Sequence, residues 1–309
     1  MLDLILDSLR VISLPMKTNF RGINHREVAF FEGPQGWAEF SPFLEYSDEE
    51  SSHWLACAIE AATQAPPTIY RSSIGVNATM PALNSQSEIA DVLAGFPGCT
   101  TVKIKVGTNE KEDLERIATV RKLSPQSKIR IDVNGLWSVD QAAKFLESCG
   151  EIEYVEQPCA TVAELRELKS RVDVKIVGDE ILRKSENPFE LDLDGAIDIV
   201  MLKVQPLGGI RNAHALAAHH KLPVVVSSAL ESAVGINYGL TLAASFEEMS
   251  YDCGLGTGSL LAKDVTEIPI VDGKMQIQSV EPNFDGLDVS ADRFDWWKNR
   301  IMRTAVLLG

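Results

Sequence analysis

Cysteine is scarce and unpaired in this chain. Cys57, Cys99, Cys149, Cys159 and Cys253 are odd in number and scattered, with no Cys-x-x-Cys pair. That pattern argues against a disulfide framework and against a thiolate zinc site, and leaves the thiols as small buried hydrophobes. Histidine is equally sparse: there are five, and the pair His219-His220 matches no ligand motif. No apolar run approaches the ~20 residues of a membrane span. The first residues, Met1 to Asp7, lack a basic region and a small-residue cleavage site, so no signal peptide is expected and the cytoplasm is the expected compartment. Positive charge is in deficit. With 29 Lys and Arg against 44 Asp and Glu, the net charge of −15 argues against nucleic acid or an anionic membrane as partner. An anionic substrate would depend on locally placed lysines and arginines.

What is present is an ordinary globular composition, 45% hydrophobic and 24% charged over 309 residues, ample for a large core. Short β-rich runs alternate with helical patterns from about residue 73 to residue 260. The runs are Ile74–Asn77, Thr101–Val106, Ile129–Val133, Glu153–Glu156, Val174–Val177, Ile197–Lys203, Leu222–Ser227 and a weaker one at Met249–Cys253. Their spacing of roughly 25 residues suits strand-plus-helix units and predicts a closed parallel (β/α) barrel over 73–265. Between two of the runs, Leu114, Ile117 and Ala118 recur at helical spacing in Lys111–Lys122. Before residue 73 the pattern changes: Val28–Glu32 and Gly36–Phe40 read as strands around Gly33-Pro34-Gln35, and His53–Ala62 as a helix. After residue 265, Ile268–Val271 and Lys274–Ile277 flank Asp272-Gly273, a strong hairpin signal. The two ends, 1–72 and 266–309, are expected to pack together as an α+β capping domain, with Trp296-Trp297 as packing on a C-terminal helix.

The chemistry-bearing residues gather at the ends of the apolar runs. Lys103 and Lys105 are two apart on a strand and share a face. Two ammonium groups on one face repel, which favours the neutral form that a general base requires. Asp132, Glu156 and Asp179 stand at or near the ends of three consecutive runs and can converge on one point, where hard oxygen ligands suit Mg2+. Single acids in such places often cap helices, but three in succession favour a metal. Lys203 ends the sixth run, where a lysine is costly unless it enters a polar site. Lys105 and Lys203 would then approach a substrate from opposite sides. Lys103, Arg130, Asn134, Ser227, Ser228 and Gly254 are the remaining residues expected to face a small carboxylate substrate. For Arg130 the alternative is a structural ion pair. For Ser227-Ser228 it is helix capping, and for the glycine-rich Gly254–Gly258 and for Phe20-Arg21-Gly22 it is an ordinary turn.

The chain resembles the enolase superfamily over nearly its whole length, and within it the muconate-cycloisomerase-type subgroup. The resemblance lies in Lys103-x-Lys105, the three spaced carboxylates, Lys203 and the strand Gly36–Pro42. Arg130-x-Asp132-x-Asn134, Ser227–Ser232 and Cys253–Thr257 narrow it to the branch that dehydrates 2-succinyl-6-hydroxy-2,4-cyclohexadiene-1-carboxylate in the menaquinone pathway. The resemblance implies a lyase with Mg2+ on Asp132, Glu156 and Asp179. It implies that Lys105 removes the α-proton and then protonates the departing hydroxyl, while Lys203 supplies positive charge from the other face. Lys103 would hold Lys105 ready to accept a proton, and Glu180 would support the metal ligands without being one. The competing readings are an N-acylamino-acid racemase or dipeptide epimerase, with Lys105 and Lys203 as two bases, and a non-catalytic ligand-binding barrel. The segment Lys17–Gly22 is short for the subgroup's mobile loop.

Overall fold

The computed structural model describes residues 2–309. Helix α1 (Leu2–Ser8) leads into strands β1 (Arg10–Phe20), β2 (Ile23–Gly33) and β3 (Gly36–Phe40), which form a three-stranded antiparallel sheet in that order. β1 was not foreseen. It is an edge strand, the place where a Pro such as Pro15 is tolerated, and its polar stretch Lys17-Thr18-Asn19 hides any alternation. β1 and β2 meet at Arg21-Gly22, both with positive φ (55° and 78°), the backbone of a tight hairpin turn. α2 (Asp48–Thr63) follows, opened by a capping box between Ser47 and Glu50.

The remaining elements are β4 (Ser73–Gly75), β5 (Ala78–Met80), α3 (Gln86–Ala94), β6 (Thr101–Lys105), α4 (Glu110–Leu123), β7 (Lys128–Asp132), α5 (Val139–Ser148) and β8 (Tyr154–Glu156). After them come α6 (Val162–Lys169), β9 (Ile176–Gly178), α7 (Glu180–Arg183), β10 (Ile199–Lys203), α8 (Ile210–His220), β11 (Val224–Ser227), α9 (Ala233–Ala244), β12 (Lys274–Gln276) and α10 (Ala291–Val306). β5 to β11 form one seven-stranded sheet, parallel throughout and in chain order. Both faces are buried, as parallel sheets require. On one face Ile104, Ile131, Val155, Val200 and Val226 join the main core with helix residues such as Ile117, Phe145, Leu165 and Leu216. On the other, Tyr154, Val177, Ile199, Met201 and Val225 form a separate cluster. No described helix is long and apolar enough to cross a membrane.

Three strand expectations are corrected. Ile74–Asn77 is not the first strand of this sheet; that place belongs to β5, while β4 pairs antiparallel with β12. Met249–Cys253 forms no strand, since it lacks the β-branched residues that favour one. Instead Cys253 bridges Val76 and Gly254 bridges Ser227, through Cys253 N to Gly75 O at 2.7 Å and Gly254 N to Val226 O at 2.8 Å. One short segment therefore reaches both edges, so the sheet curls. The Asp272-Gly273 turn forms, with positive φ at both residues, but its first arm carries Pro269 and stays irregular.

The buried face of α4 also differs from the periodic reading: it is Asp113, Arg116, Ile117 and Val120, with Ala118 exposed. Asp113 and Arg116 are tolerated inside because they pair at 2.6 Å, and because Arg116 also donates to the carbonyls of Lys105 (2.8 Å) and Leu83 (2.6 Å). They brace the end of β6.

The N-terminal sheet meets the large one across buried acids. Glu39 on β3 accepts from Ser232 Oγ (2.5 Å) and Gly235 N (2.9 Å) at the start of α9. Glu231 accepts from Ala229 N at 2.6 Å, and Asp264 from Ala233 N at 2.9 Å. α10 returns to α2: Arg300 donates to the carbonyls of Phe43 and Tyr46 and to Ser51, and Trp297 packs edge-on against Phe40.

Burial, then the charge of Glu39, pushes Glu231 from its usual 4.5 up to about 7. A carboxyl raised on folding stabilises the protein below its unfolded value, and that contribution is lost as pH rises through the folded value. Glu231→Gln should match the parent at pH 4.5 and exceed it at pH 8, by roughly 3 kcal/mol at most. Urea denaturation at both pH values checks this, and a variant weaker than the parent at pH 8 contradicts it.

Candidate active site

Lys105, Asp132, Lys203 and Ser227 are each the last residue of their strand. The parallel register sets Lys105 beside Asp132, Asp132 beside Glu156 and Lys203 beside Ser227. Alternation sends these side chains to the same side of the sheet. They converge below a cavity of about 680 Å³. Its walls include Lys103, Lys105, Asp132, Asn134, Glu180, Lys203, Ser227, Ser228 and Gly254, with Phe20, Arg21 and Gly22 of the hairpin tip on the other side. The turn at Phe20–Gly22 is thus part of the cavity.

Charge in this site is paired closely. Lys103 Nζ bridges Glu156 at 2.6 Å and Asp132 at 3.0 Å. Lys105 Nζ lies 3.2 Å from Asp132, with its side chain 30% exposed to the cavity. Lys203 Nζ lies 2.5 Å from Asp179, whose other oxygen faces Arg183 Nε at 3.1 Å. Burial opposes charge on Lys103, but the carboxylates of Asp132 and Glu156 outweigh it and hold the ammonium above its usual range. Burial likewise pushes Asp132 and Asp179 up. Lys103, Lys105 and Lys203 overcome it at Asp132, and Lys203 and Arg183 at Asp179, so both stay well below the carboxylate range. Glu156 goes the other way: burial, then the charge of Asp132, lifts it to about 7 against the pull of Lys103.

Among the described residues no three acidic, histidine or cysteine side chains are arranged to hold an ion as they stand. Ammonium groups occupy the carboxylate oxygens instead. The donor chemistry nonetheless fits a divalent cation: the buried carboxylates Asp132 and Glu156 end β7 and β8, Asp179 directly follows β9, and Glu156 is strained as an anion by the two others.

Several expected residues take clearer parts. Asn134, at φ 53°, donates to Glu180 Oε1 (3.0 Å), which Arg183 also holds (2.5 Å). Ser228 Oγ donates to Gly254 O (2.9 Å) and meets Thr257 Oγ1 at 2.7 Å. The capping alternative for the serines is excluded, because Ser232 caps α9. A Cβ at Gly254 would overlap Ser227 Oγ, so any larger residue there would displace that hydroxyl. Arg130 lies deeper than the others: it is 0% exposed and absent from the cavity wall, and its Nη2 has no hydrogen-bond partner among the described residues. It pairs with Glu153 (2.6 Å), donates to Asn77 Oδ1 (3.1 Å) and the Asp252 carbonyl (2.6 Å), and stacks on Tyr154. It thus makes the ion pair of the alternative reading with Glu153.

Sequence reasoning missed Arg183 and Tyr46, and gave Gln157 no role of its own. Arg183 stands four residues after Asp179, a helical pairing distance that was legible. Tyr46 Oη accepts from Arg183 (3.1 Å) and Arg21 (3.0 Å), tying the hairpin tip to α7. Gln157, at φ 40°, accepts from Asp179 N (2.9 Å) and Ile181 N (3.2 Å), which fixes the backbone that carries Asp179.

A parallel sheet with acids and lysines at its strand ends, joined to an antiparallel N-terminal sheet, defines a class: the chain belongs to the enolase superfamily. Residues 11–62 match the family described as Enolase N-terminal domain-like, and residues 88–290 the Enolase C-terminal domain-like family. Membership implies a divalent metal. Among curated relatives, the o-succinylbenzoate synthase of Mycobacterium ulcerans (strain Agy99) is 48% identical over 314 residues, spanning 98% of this chain and 95% of the relative. The o-succinylbenzoate synthase of Mycobacterium tuberculosis (strain ATCC 25618 / H37Rv) is 47% identical over 317 residues, spanning 99% and 96%. Among solved structures, the L-Ala-D/L-Glu epimerase from Bacillus subtilis superposes with a TM-score of 0.75 at 22% identity, covering 91% of this chain and 98% of that one. The N-succinyl Arg/Lys racemase from Bacillus cereus ATCC 14579 gives 0.74 at 22% identity, covering 93% and 96%. At these identities the structures speak for the fold alone.

Proposed function

We propose that this chain is an o-succinylbenzoate synthase, a lyase that removes water from 2-succinyl-6-hydroxy-2,4-cyclohexadiene-1-carboxylate. The observation that carries the reading is the near-full-length likeness, at 47–48% identity, to proteins of that name. Asp132, Glu156 and Asp179 would hold Mg2+, which when bound supplies positive charge to the substrate carboxylate. Lys105, as the free amine, takes the proton from the ring carbon that bears the carboxylate. The electron pair left behind is delocalised into that carboxylate, and Lys203 and Lys103 add fixed positive charge nearby. The C–O bond at the hydroxyl-bearing carbon then breaks, and Lys105 returns its proton to the departing oxygen as water. One base serves both transfers because the proton and the hydroxyl leave from the same face. Asn134, Glu180 and Arg183 hold the loop around Asp179, and Ser227, Ser228 and Gly254 line the substrate's end of the cavity.

The same reading closes the seven-stranded sheet into a barrel through Cys253-Gly254. It divides the chain into a capping segment 1–72, a barrel 73–265 and a returning segment 266–309, at work in the cytoplasm in menaquinone biosynthesis. Racemisation of N-acylamino acids is the second reading, favoured because Lys105 and Lys203 both reach the cavity from strands separated by three others.

An ultraviolet assay of aromatisation decides between them. Turnover should require Mg2+, vanish with chelator and return when the ion is restored. Folded, Mg2+-loaded protein that leaves the cyclohexadiene untouched would refute the synthase reading, and N-succinylamino acids would be tried next.

A further inference from the structure

Arg26 lies on β2, 2% exposed, behind the cavity and outside the chemistry described above. Its hydrogen bonds all go to backbone carbonyls: Nε to Leu230 at 3.1 Å, Nη1 to Glu27 at 3.4 Å and Nη2 to Ser41. Its guanidinium also lies 4.2 Å from the centre of the Phe43 ring. A buried cation held only by carbonyls and a ring is an expensive device. Burial lowers Arg26 to about 10, against the pull of Glu39 and Glu231.

What Arg26 holds is unusual in turn. Leu230 sits at φ 65°, a left-handed conformation uncommon for a bulky side chain, and it lines the cavity at 2% exposure. The backbone on either side of it is fixed by acids, Ala229 N by Glu231 and Ser232 N by Glu39. The strained residue has Arg26 on its carbonyl. Phe43, the other group Arg26 touches, also lines the cavity. Strained backbone persists where its surroundings over-determine it, and such places cluster at ligand clamps.

We infer that Arg26 is a positioning residue for substrate selection, fixing Leu230 and Phe43 as a rigid apolar wall against the carbon skeleton of the substrate. The identity of that skeleton rests on the synthase reading; the fixing of the wall does not. Arg26 touches no reacting atom, so its loss should weaken binding more than chemistry.

Two readouts test this on the full-length protein. Hydrogen–deuterium exchange of segment 228–232 without ligand reports on the wall whatever the substrate is. Steady-state kinetics of the Mg2+-loaded protein with the cyclohexadiene reports on selection. Arg26→Met should speed exchange in that segment above the global change and raise KM by about tenfold or more, with kcat within about threefold. Arg26→Lys, which keeps a donor, should recover part of both effects. Leu230→Gly, which relieves the strained backbone, should stay folded and raise KM similarly, which keeps the test open if Arg26→Met does not fold. Unchanged exchange and KM in Arg26→Met, or an unchanged KM in Leu230→Gly, would overturn the inference. If the parent itself fails to turn over the cyclohexadiene, the synthase reading falls and the exchange data alone decide the role of Arg26.

Discussion

Lys105→Ala abolishes turnover and leaves the protein folded. A positioned general acid–base group contributes about 10²–10⁴-fold, and here one amine makes both proton transfers, so the loss should sit at the upper end. The fold survives because the side chain is 30% exposed and its single ion pair is with Asp132, which keeps Lys103 at 3.0 Å. Far-ultraviolet circular dichroism and thermal melting check the fold, and the aromatisation assay checks the chemistry. Activity near the parent level in a folded Lys105→Ala protein would remove this lysine from the mechanism.

Lys203→Met loses activity for another reason and also touches stability. Lys203 would stabilise charge without taking the proton, and removing such a group costs about 10²–10³ in kcat. Its Nζ lies 2.5 Å from Asp179, a carboxylate 1% exposed. Removing one partner of a buried pair costs about 3–5 kcal/mol when the other is left uncompensated, and Arg183 at 3.1 Å should reduce that cost. A cation at the carboxylates would replace the missing charge, so Mg2+ should raise the melting temperature of Lys203→Met more than that of the parent. Equal shifts in the two proteins would separate Asp179 from the proposed metal site.

The charged face of the sheet was legible because it follows from two simple regularities: strand side chains alternate, and the charged ones stand at or near the places where the apolar runs stop. Lys103, Lys105, Asp132, Glu156, Asp179 and Lys203 were found in that way, and the structure pairs their charges in two groups, Lys103 and Lys105 with Asp132 and Glu156, and Lys203 with Asp179. Depth was not legible. Arg130 shares its face with Asp132 but comes two residues earlier, which sets it roughly 6–7 Å deeper along the strand. There it meets Glu153 and Tyr154. The far wall was hidden for a different reason. Phe43 and Tyr46 carry no local signal, and they reach the cavity only through packing between segments distant in the chain. The edge strand β1 escaped because neither its Pro15 nor its polar end alternates.

The Cys253-Gly254 segment that touches both Val76 and Ser227 sets a schedule for synthesis. Val76 leaves the ribosome long before Cys253 is made. At roughly 5–20 residues per second the delay is on the order of ten seconds or more. Through that interval the nascent chain presents the unpaired backbone around Val76, just ahead of β5, an open edge of the kind that invites association between chains. A message truncated ahead of residue 253 would make that exposure permanent, and its product should be found in aggregates.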